Sequence, residues 1–172
     1  EDRKKNGLVL KLGIRDNLLM SALRKCLKNG ALNKSLETKY CKEFGDKLEI
    51  KRSSDDQLCA NLSGGNQQKV VVARVLNADP DIIILDEPTR GIDIKTKSDI
   101  HRLMSTLACE GKSIIMVSSE LPEVLGISDR ILVLNEGHVT GILNRDEADP
   151  SIVMKYAVKK EIGGEEHGRE NS

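Results

Sequence analysis

The sequence is poor in aromatic residues and has no excess of either charge. It contains no tryptophan, and aromatic residues make up 2 % of the chain, which leaves little material for stacking nucleobases or for an aromatic ligand cage. The 27 lysines and arginines equal the 27 acidic residues, so no overall field draws the chain to nucleic acid or to an acidic membrane surface. We therefore expect no nucleic-acid partner and a core of aliphatic side chains.

Long apolar runs, a secretory leader and paired cysteines are also missing. The first two absences predict that no segment crosses a membrane. The four cysteines (Cys26, Cys41, Cys59 and Cys109) form no Cys-x-x-Cys pair and have no nearby histidine in the sequence, which favours free thiols in a reducing cytosol over disulfides. The chain starts at Glu1 rather than at a methionine, which suggests a piece of a larger protein.

Apolar residues at helical spacing predict a small helical module in the first third of the chain. Residues 1–15 contain glycines and indicate a loop with a short extended segment. Asp16 is placed to cap a helix that runs until Asn29-Gly30 ends it. A second helix is expected to begin at Asn33 or Ser35.

The rest of the chain alternates between helical and extended patterns. Helices are predicted at 66–77 and at about 94–110, and buried strands at 82–85 and 113–117. This order predicts a parallel sheet with helices on its faces. A short helix, an antiparallel hairpin, a closing helix and a disordered tail are expected at 121–125, 131–143, 150–158 and 159–172.

Two stretches carry residues suited to phosphate and metal chemistry. Ser63, Gly64 and Gly65 precede a predicted helix, where close backbone approach and unpaired N–H groups suit a phosphate. Asp86 and Glu87 end a predicted strand, where one carboxylate can hold Mg²⁺ through water and the other can polarise a water molecule. Taken separately, the first stretch also fits a tight turn with a serine cap, and the second fits an exposed acidic turn.

In this order the two stretches resemble the signature and Walker B motifs of ATP-binding cassette (ABC) proteins. The signature is Leu62-Ser63-Gly64-Gly65-Asn66-Gln67-Gln68, and Walker B is Leu85-Asp86-Glu87-Pro88-Thr89. The stretches at 89–93, 118–124 and 128–131 narrow the resemblance to the second nucleotide-binding domain of the fused ATPase subunits of bacterial ribose-, galactose- or xylose-type importers. It implies a partial P-loop NTPase fold of the α/β class, with a parallel sheet core, a helical subdomain and a C-terminal β-hairpin.

The resemblance implies ATP and Mg²⁺ as ligands and distributes roles over the site. Asp86 is expected to assist Mg²⁺ through water, and Glu87 to act as the base that orients water. An ATP held mainly by the opposite cassette is expected to contact the signature and D-loop residues, which are Ser63, Gly64, Gly65, Asn66, Gln68 and Asp93. Ser119 takes the place of the switch histidine, although a serine cannot become cationic. The Q-loop falls at or beside Glu1, without its usual glutamine.

The resemblance also implies an organisation and partners. Residues 1–15 are the Q-loop-side segment, 16–61 the helical subdomain that docks membrane subunits, 62–158 the signature helix and catalytic α/β core, and 159–172 the tail. The expected partners are a second nucleotide-binding domain in the same or another chain, integral membrane permease subunits and, indirectly, a periplasmic or extracellular sugar-binding protein. The implied location is the cytoplasmic side of the cell membrane, as a peripheral protein.

One expected motif is absent from the 172 residues. No Gly-x-x-x-x-Gly-Lys-[Ser/Thr] occurs in them, so we expect ATPase activity of an intact parent and little of this piece alone. Alternatives remain open: the ATPase of a nucleoside or other small-solute importer, or a non-enzymatic remnant that supplies a signature half-site or binds a membrane subunit. A cassette ATPase of DNA repair or translation is a further rival, but the long coiled coil or basic linker it would need is not seen.

Overall fold

The computed structural model describes residues 7–158, and the chain divides between Val117 and Ser118 into two units. The predictions for Glu1 and for the tail at 159–172 lie outside the described residues. Within residues 7–158, no helix is long and apolar enough to cross a membrane.

Helices dominate the first unit. They are α1 (Ile14–Leu19), α2 (Lys34–Lys47), α3 (Gly64–Asn77) and α4 (Ile94–Cys109), with short 3₁₀ turns at Leu23–Cys26 and Cys59–Asn61. The strands are β1 (Leu27–Lys28), β2 (Ala31–Leu32), β3 (Ile82–Asp86) and β4 (Ser113–Val117). The helix predicted from Asn33 or Ser35 is confirmed, because Asn33 caps α2 by accepting the N–H groups of Ser35 and Leu36.

The core of this unit lies where α1 packs against α2 and α3. Ile14, Leu18 and Val70 are completely buried there, as expected for the apolar faces of amphipathic helices. Cys41 and Cys59 are buried as well, and burial raises the pKa of the Cys41 thiol to about 12 and that of Cys59 to about 11. All four cysteines are free, so the prediction of free thiols is confirmed.

The first predicted helix is wrong in extent. The observed helix α1 begins after Gly13 instead of after a cap at Asp16, and it is only six residues long. Asn29 (φ 53°) and Gly30 (φ 79°) form the turn of the β1–β2 hairpin instead of ending a helix. Two successive left-handed residues are what a tight hairpin turn requires, so turn chemistry outweighed the apolar spacing before it.

Strands β3 and β4 pair in parallel, from Ile82 opposite Ser113 to Asp86 opposite Val117. The predicted parallel pairing is therefore confirmed. The predicted burial of both faces is wrong, because the sheet is packed on one face only. Ile83 is 2 % exposed, whereas Ile82 and Ile84 are 60 % and 66 % exposed. On β4, Ile115 and Val117 are each more than half exposed.

The second unit is built on an antiparallel hairpin. It contains α5 (Leu121–Ile127), β5 (Arg130–Asn135), β6 (His138–Asn144) and α6 (Pro150–Ala157). The predicted short helix, hairpin and closing helix are thus confirmed. Its core consists of Ile131, Val133, Leu143 and Val153, with α6 packed on both strands.

Candidate functional site

The signature stretch forms the start of α3. Ser63 is the N-cap of this helix, and its Oγ accepts hydrogen bonds from the Asn66 N–H at 3.4 Å and from Asn66 Nδ2 at 2.9 Å. Ser63 is exposed and Gly64 is half-buried. Because the first N–H groups of a helix have no intrahelical acceptor, this end of α3 presents hydrogen-bond donors and partial positive charge.

Asn66 also reaches a loop that sequence reasoning had left out of the site. Its Oδ1 accepts the backbone N–H of Lys51 at 2.9 Å. Nothing in the residue type of Lys51 could have indicated this contact, because only its peptide group takes part. The signature is therefore tied to the segment that follows α2.

Asp93, which the resemblance assigns to the D-loop, is the N-cap of α4 as Ser63 is of α3. Its Oδ1 accepts the Thr96 N–H at 3.0 Å, and its Oδ2 accepts the Thr96 hydroxyl at 2.7 Å. These bonds, first of all the one from the backbone N–H, hold the pKa of Asp93 below its ordinary value. The Asp-x-x-Thr spacing was a signal in the sequence for this cap.

Thr96 brings the starts of α3 and α4 together. A Cβ at Gly65 would lie 2.7 Å from Thr96 Oγ1 and 3.0 Å from its Cγ2, so only glycine fits here without a shift. Gly65 of the signature and Asp93 of the D-loop therefore meet on the same threonine. Thr96 was not among the site residues predicted from the sequence.

An ion pair joins α3 and α4 further along the two helices. Lys69 Nζ lies 2.9 Å from Asp99 Oδ2, with the lysine side chain 9 % exposed and the aspartate side chain 19 % exposed. The hydrogen bond from Lys69 is the main reason why the pKa of Asp99 falls below its ordinary value. Gln68 is 8 % exposed, so its side chain offers a ligand far less surface than Ser63 does.

Asp86 and Glu87 lie at the carboxyl end of β3. Asp86 is exposed and ends the strand. Glu87 has φ 47°, and its N–H donates to the carbonyl of Val117 on β4 at 2.9 Å. The left-handed backbone takes the chain out of the strand direction at a cost of about 1 kcal/mol, and the Arg90 N–H closes the turn on the Glu87 carbonyl. Parallel α/β sheets bind ligands at this edge.

The acids of this edge suit Mg²⁺ better than a metal held by protein alone. Among residues 7–158, no group of three or more His, Cys, Asp or Glu side chains could hold a metal ion. Mg²⁺ commonly keeps several waters and takes one or two carboxylates together with substrate phosphates. The exposed carboxylate of Asp86 fits that ligand set.

Ser119 belongs to the second unit, where it is exposed. The residues around it are held by a buried carboxylate. Ser118 Oγ donates to Glu123 Oε2 at 2.5 Å and accepts the Glu120 N–H at 3.1 Å, and Glu123 is 6 % exposed. Glu123 therefore shapes the segment that carries Ser119, a role that sequence reasoning missed.

Known proteins resemble this chain over most of its length. The family model described as ABC transporter matches residues 5–90. A ribose import ATP-binding protein RbsA of Bacillus cereus is 49 % identical over 96 % of this chain and 33 % of its own length. RbsA of Clostridium perfringens is 48 % identical over 92 % of this chain and 32 % of its own length. The chain thus spans about a third of the length of these relatives.

Solved structures confirm the predicted fold class. A dimeric post-hydrolysis state of the ATP-binding cassette MJ0796, bound to ADP and Pi, matches with a TM-score of 0.69 and 27 % identity, over 81 % of this chain and 59 % of that one. The ADP conformation of MJ1267, an ATP-binding cassette of an ABC transporter, matches with a TM-score of 0.66 and 20 % identity, over 88 % of this chain and 65 % of that one. At 20 % identity the second match concerns the fold alone.

Proposed function

Because this chain belongs to the ABC transporter family, we propose that it works within the ATP-hydrolysing subunit of an importer for a monosaccharide such as ribose. The names of the relatives support a sugar over a nucleoside or another small solute. The observation that carries the proposal is the placing of Asp86 and Glu87 at the carboxyl edge of the parallel strands β3 and β4. That edge is where this class of sheet binds its ligands.

The start of α3 serves an ATP held mainly by a second cassette. The Ser63 hydroxyl and the amides of Gly64 and Gly65 contact its terminal phosphate, which suits the positive end of a helix. Asn66 and Asp93 lie close to this contact, Asn66 by its bond to Ser63 and Asp93 through Thr96 and Gly65. Gln68 is the weakest member of the proposed set because it is buried.

The acids at the end of β3 serve a different nucleotide. Asp86 would hold Mg²⁺ through water, and the ion would supply positive charge that offsets the charge of the phosphates. Glu87 orients the attacking water and accepts its proton. Ser119 can exchange hydrogen bonds with a phosphate but cannot add a positive charge. Since the 172 residues contain no P-loop motif, we propose that a segment outside them holds these phosphates.

The organisation proposed for the chain follows from these roles. Residues 16–61 form the helical subdomain that docks the permease subunits, and residues 62–158 form the signature helix and catalytic core. The partners are a second nucleotide-binding domain, the integral membrane permease subunits and, through them, an external sugar-binding protein. The complex works at the cytoplasmic face of the cell membrane. The MJ0796 cassette, with ADP and Pi in a dimeric structure, supports the nucleotide ligand and the pairing of cassettes.

The substitution Glu87→Gln in the complete ATPase subunit tests the proposal. It removes the base but keeps the size of the side chain, so ATP should still bind while turnover falls by roughly 100-fold or more. Binding is measured with labelled ATP and turnover as phosphate release from the assembled transporter.

Glu136→Gln is the matched control, because the same chemical change is made at an exposed turn between β5 and β6. It should leave both measurements at the level of the natural protein. Turnover by Glu87→Gln equal to that of this control would refute the role of Glu87.

A further inference from the structure

The side-chain amide of Asn66 bridges a loop and the cap of α3. Its Oδ1 accepts the Lys51 N–H at 2.9 Å, and its Nδ2 donates to Ser63 Oγ at 2.9 Å. Because a backbone N–H can only donate, the contact with Lys51 settles which end of the amide is the oxygen. The NH₂ group is thereby turned toward Ser63.

The loop that supplies the Lys51 N–H is fixed on both sides. The Ile50 N–H donates to the Gly45 carbonyl in α2 at 2.9 Å, and Ile50 is 4 % exposed. The guanidinium of Arg52 donates to Asp55 at 2.6 Å and lies so close over Gly45 that a Cβ there would meet it at 2.6 Å. The donor at Lys51 is therefore part of a packed turn, and the orientation that it imposes on Asn66 is stable.

This arrangement determines whether the Ser63 hydroxyl donates or accepts a hydrogen bond at the surface. A serine hydroxyl has one hydrogen and two lone pairs. Both lone pairs of Ser63 are used, one by the Asn66 N–H and one by Asn66 Nδ2. Among residues 7–158, no group accepts its hydrogen, and the residue is exposed. What remains on the surface is a donor, which suits an anionic oxygen.

We propose that Asn66 is a positioning residue that fixes the Ser63 hydroxyl as a hydrogen-bond donor for the phosphate of the opposite nucleotide. The inference rests on the proposed function of Ser63. It gives Asn66 a role through Ser63 instead of a contact of its own with ATP. It also explains why an asparagine serves at this place, since its short amide spans the distance between the Lys51 N–H and Ser63 Oγ.

The substitution Asn66→Asp separates this role from simple packing. The introduced carboxylate still accepts the Lys51 N–H, but it has no hydrogen to give. Ser63 then donates its own hydrogen to that carboxylate, and the phosphate loses its donor. Asn66→Ala removes both bonds and leaves the hydroxyl free to turn outward. The expected order of damage is therefore Asn66→Asp equal to Ser63→Ala, with Asn66→Ala milder.

The experiment measures kcat/KM for ATP and the thermal midpoint of the complete ATPase subunit with its permease. Ser63→Ala and Asn66→Asp should each lower kcat/KM about 10- to 100-fold, as expected for the loss of one hydrogen bond to a charged group. The thermal midpoint of Asn66→Asp should stay unchanged or rise, because an acid in the first turn of a helix is favourable. Asn61→Asp is the matched control, since it adds the same charge at an exposed position near Ser63 without touching its hydroxyl.

The double variant Ser63→Ala with Asn66→Asp completes the test. Once the hydroxyl is gone, Asn66→Asp should lower kcat/KM no further than Asn61→Asp does. An Asn66→Asp effect no larger than that control, or greater damage from Asn66→Ala, would overturn the positioning role while leaving the role of Ser63 intact. A Ser63→Ala variant with natural activity would refute the proposed function of Ser63 and this inference with it.

Discussion

Replacing Gly65 by alanine tests the contact that joins the signature to the D-loop. The added Cβ would lie 2.7 Å from Thr96 Oγ1, which Asp93 Oδ2 holds in place. Overpacking of this kind costs about 1–3 kcal/mol, and the better helix propensity of alanine returns about 1 kcal/mol. The net change expected for Gly65→Ala is a loss of roughly 0–2 kcal/mol in the free energy of unfolding.

Gly126 in α5 provides the matched control. It is also a helical glycine, but a Cβ there would meet no atom within 4 Å. Gly126→Ala should therefore raise the free energy of unfolding by about 0.5–1 kcal/mol. In a domain of this size, 1 kcal/mol corresponds to about 2–4 °C, so the thermal midpoints of the two variants should differ by several degrees.

A second change shows whether Thr96 is the cause. Thr96→Ala removes the two atoms nearest to the added Cβ, so Gly65→Ala should cost less in that background. Thr96→Ser keeps the side-chain oxygen, so Gly65→Ala should cost as much stability in that background as in the natural protein. The coupling is read from a double-mutant cycle. If Gly65→Ala raised the midpoint as much as Gly126→Ala does, the close approach of the two helices would be wrong.

Two further predictions concern stability. Lys69→Met should lower the free energy of unfolding by about 1–3 kcal/mol, because among the described residues the partly buried Asp99 carboxylate keeps only the exposed Arg102 as an ion-pair partner. Lys69 keeps the pKa of Asp99 below its ordinary value of 3.8. The ion pair therefore contributes its full stabilisation above that pH, and this contribution is lost as the pH falls through the pKa of the folded state. Below about pH 4, the thermal midpoint should fall less steeply with pH in Lys69→Met than in the natural protein. Glu136→Asn should raise the free energy of unfolding by about 0.5–1 kcal/mol, because asparagine tolerates the φ of 48° at this place in the hairpin turn better than glutamate does. Glu136→Ala should leave the thermal midpoint unchanged in the same scan.

Local chemistry made much of the fold predictable. Ser63 and Asp93 cap helices through residues only three positions away, so the sequence contained both partners of each bond. The apolar run of β3 and the turn of the β5–β6 hairpin at Glu136 and Gly137 likewise depend on neighbours along the chain. The failure at Asn29-Gly30 had a local cause too, since a left-handed pair fits a hairpin turn as well as it fits a helix end.

Contacts between residues far apart in the sequence could not be predicted from local spacing. Lys51 lies 15 positions before Asn66, and Lys69 lies 30 positions before Asp99. The residue types of such pairs are common on any helix, and only the packing of α3 against its neighbours decides which of them meet. The exposed apolar face of β3 is a similar case, because its residues show that it can be buried and not what covers it.

The sequence by itself determined where the residues suited to the proposed chemistry lie: a serine and two glycines at a helix start, and two acids at the end of a strand. These features depend on residue type and short spacing, which the chain carries wherever it folds. Only the tertiary structure decided that Gly65 and Asp93 meet on Thr96, and that the Lys51 N–H turns the NH₂ group of Asn66 toward Ser63. Hydrogen-bond direction and close packing depend on atoms brought together from distant parts of the chain, and these exist only once the helices have docked.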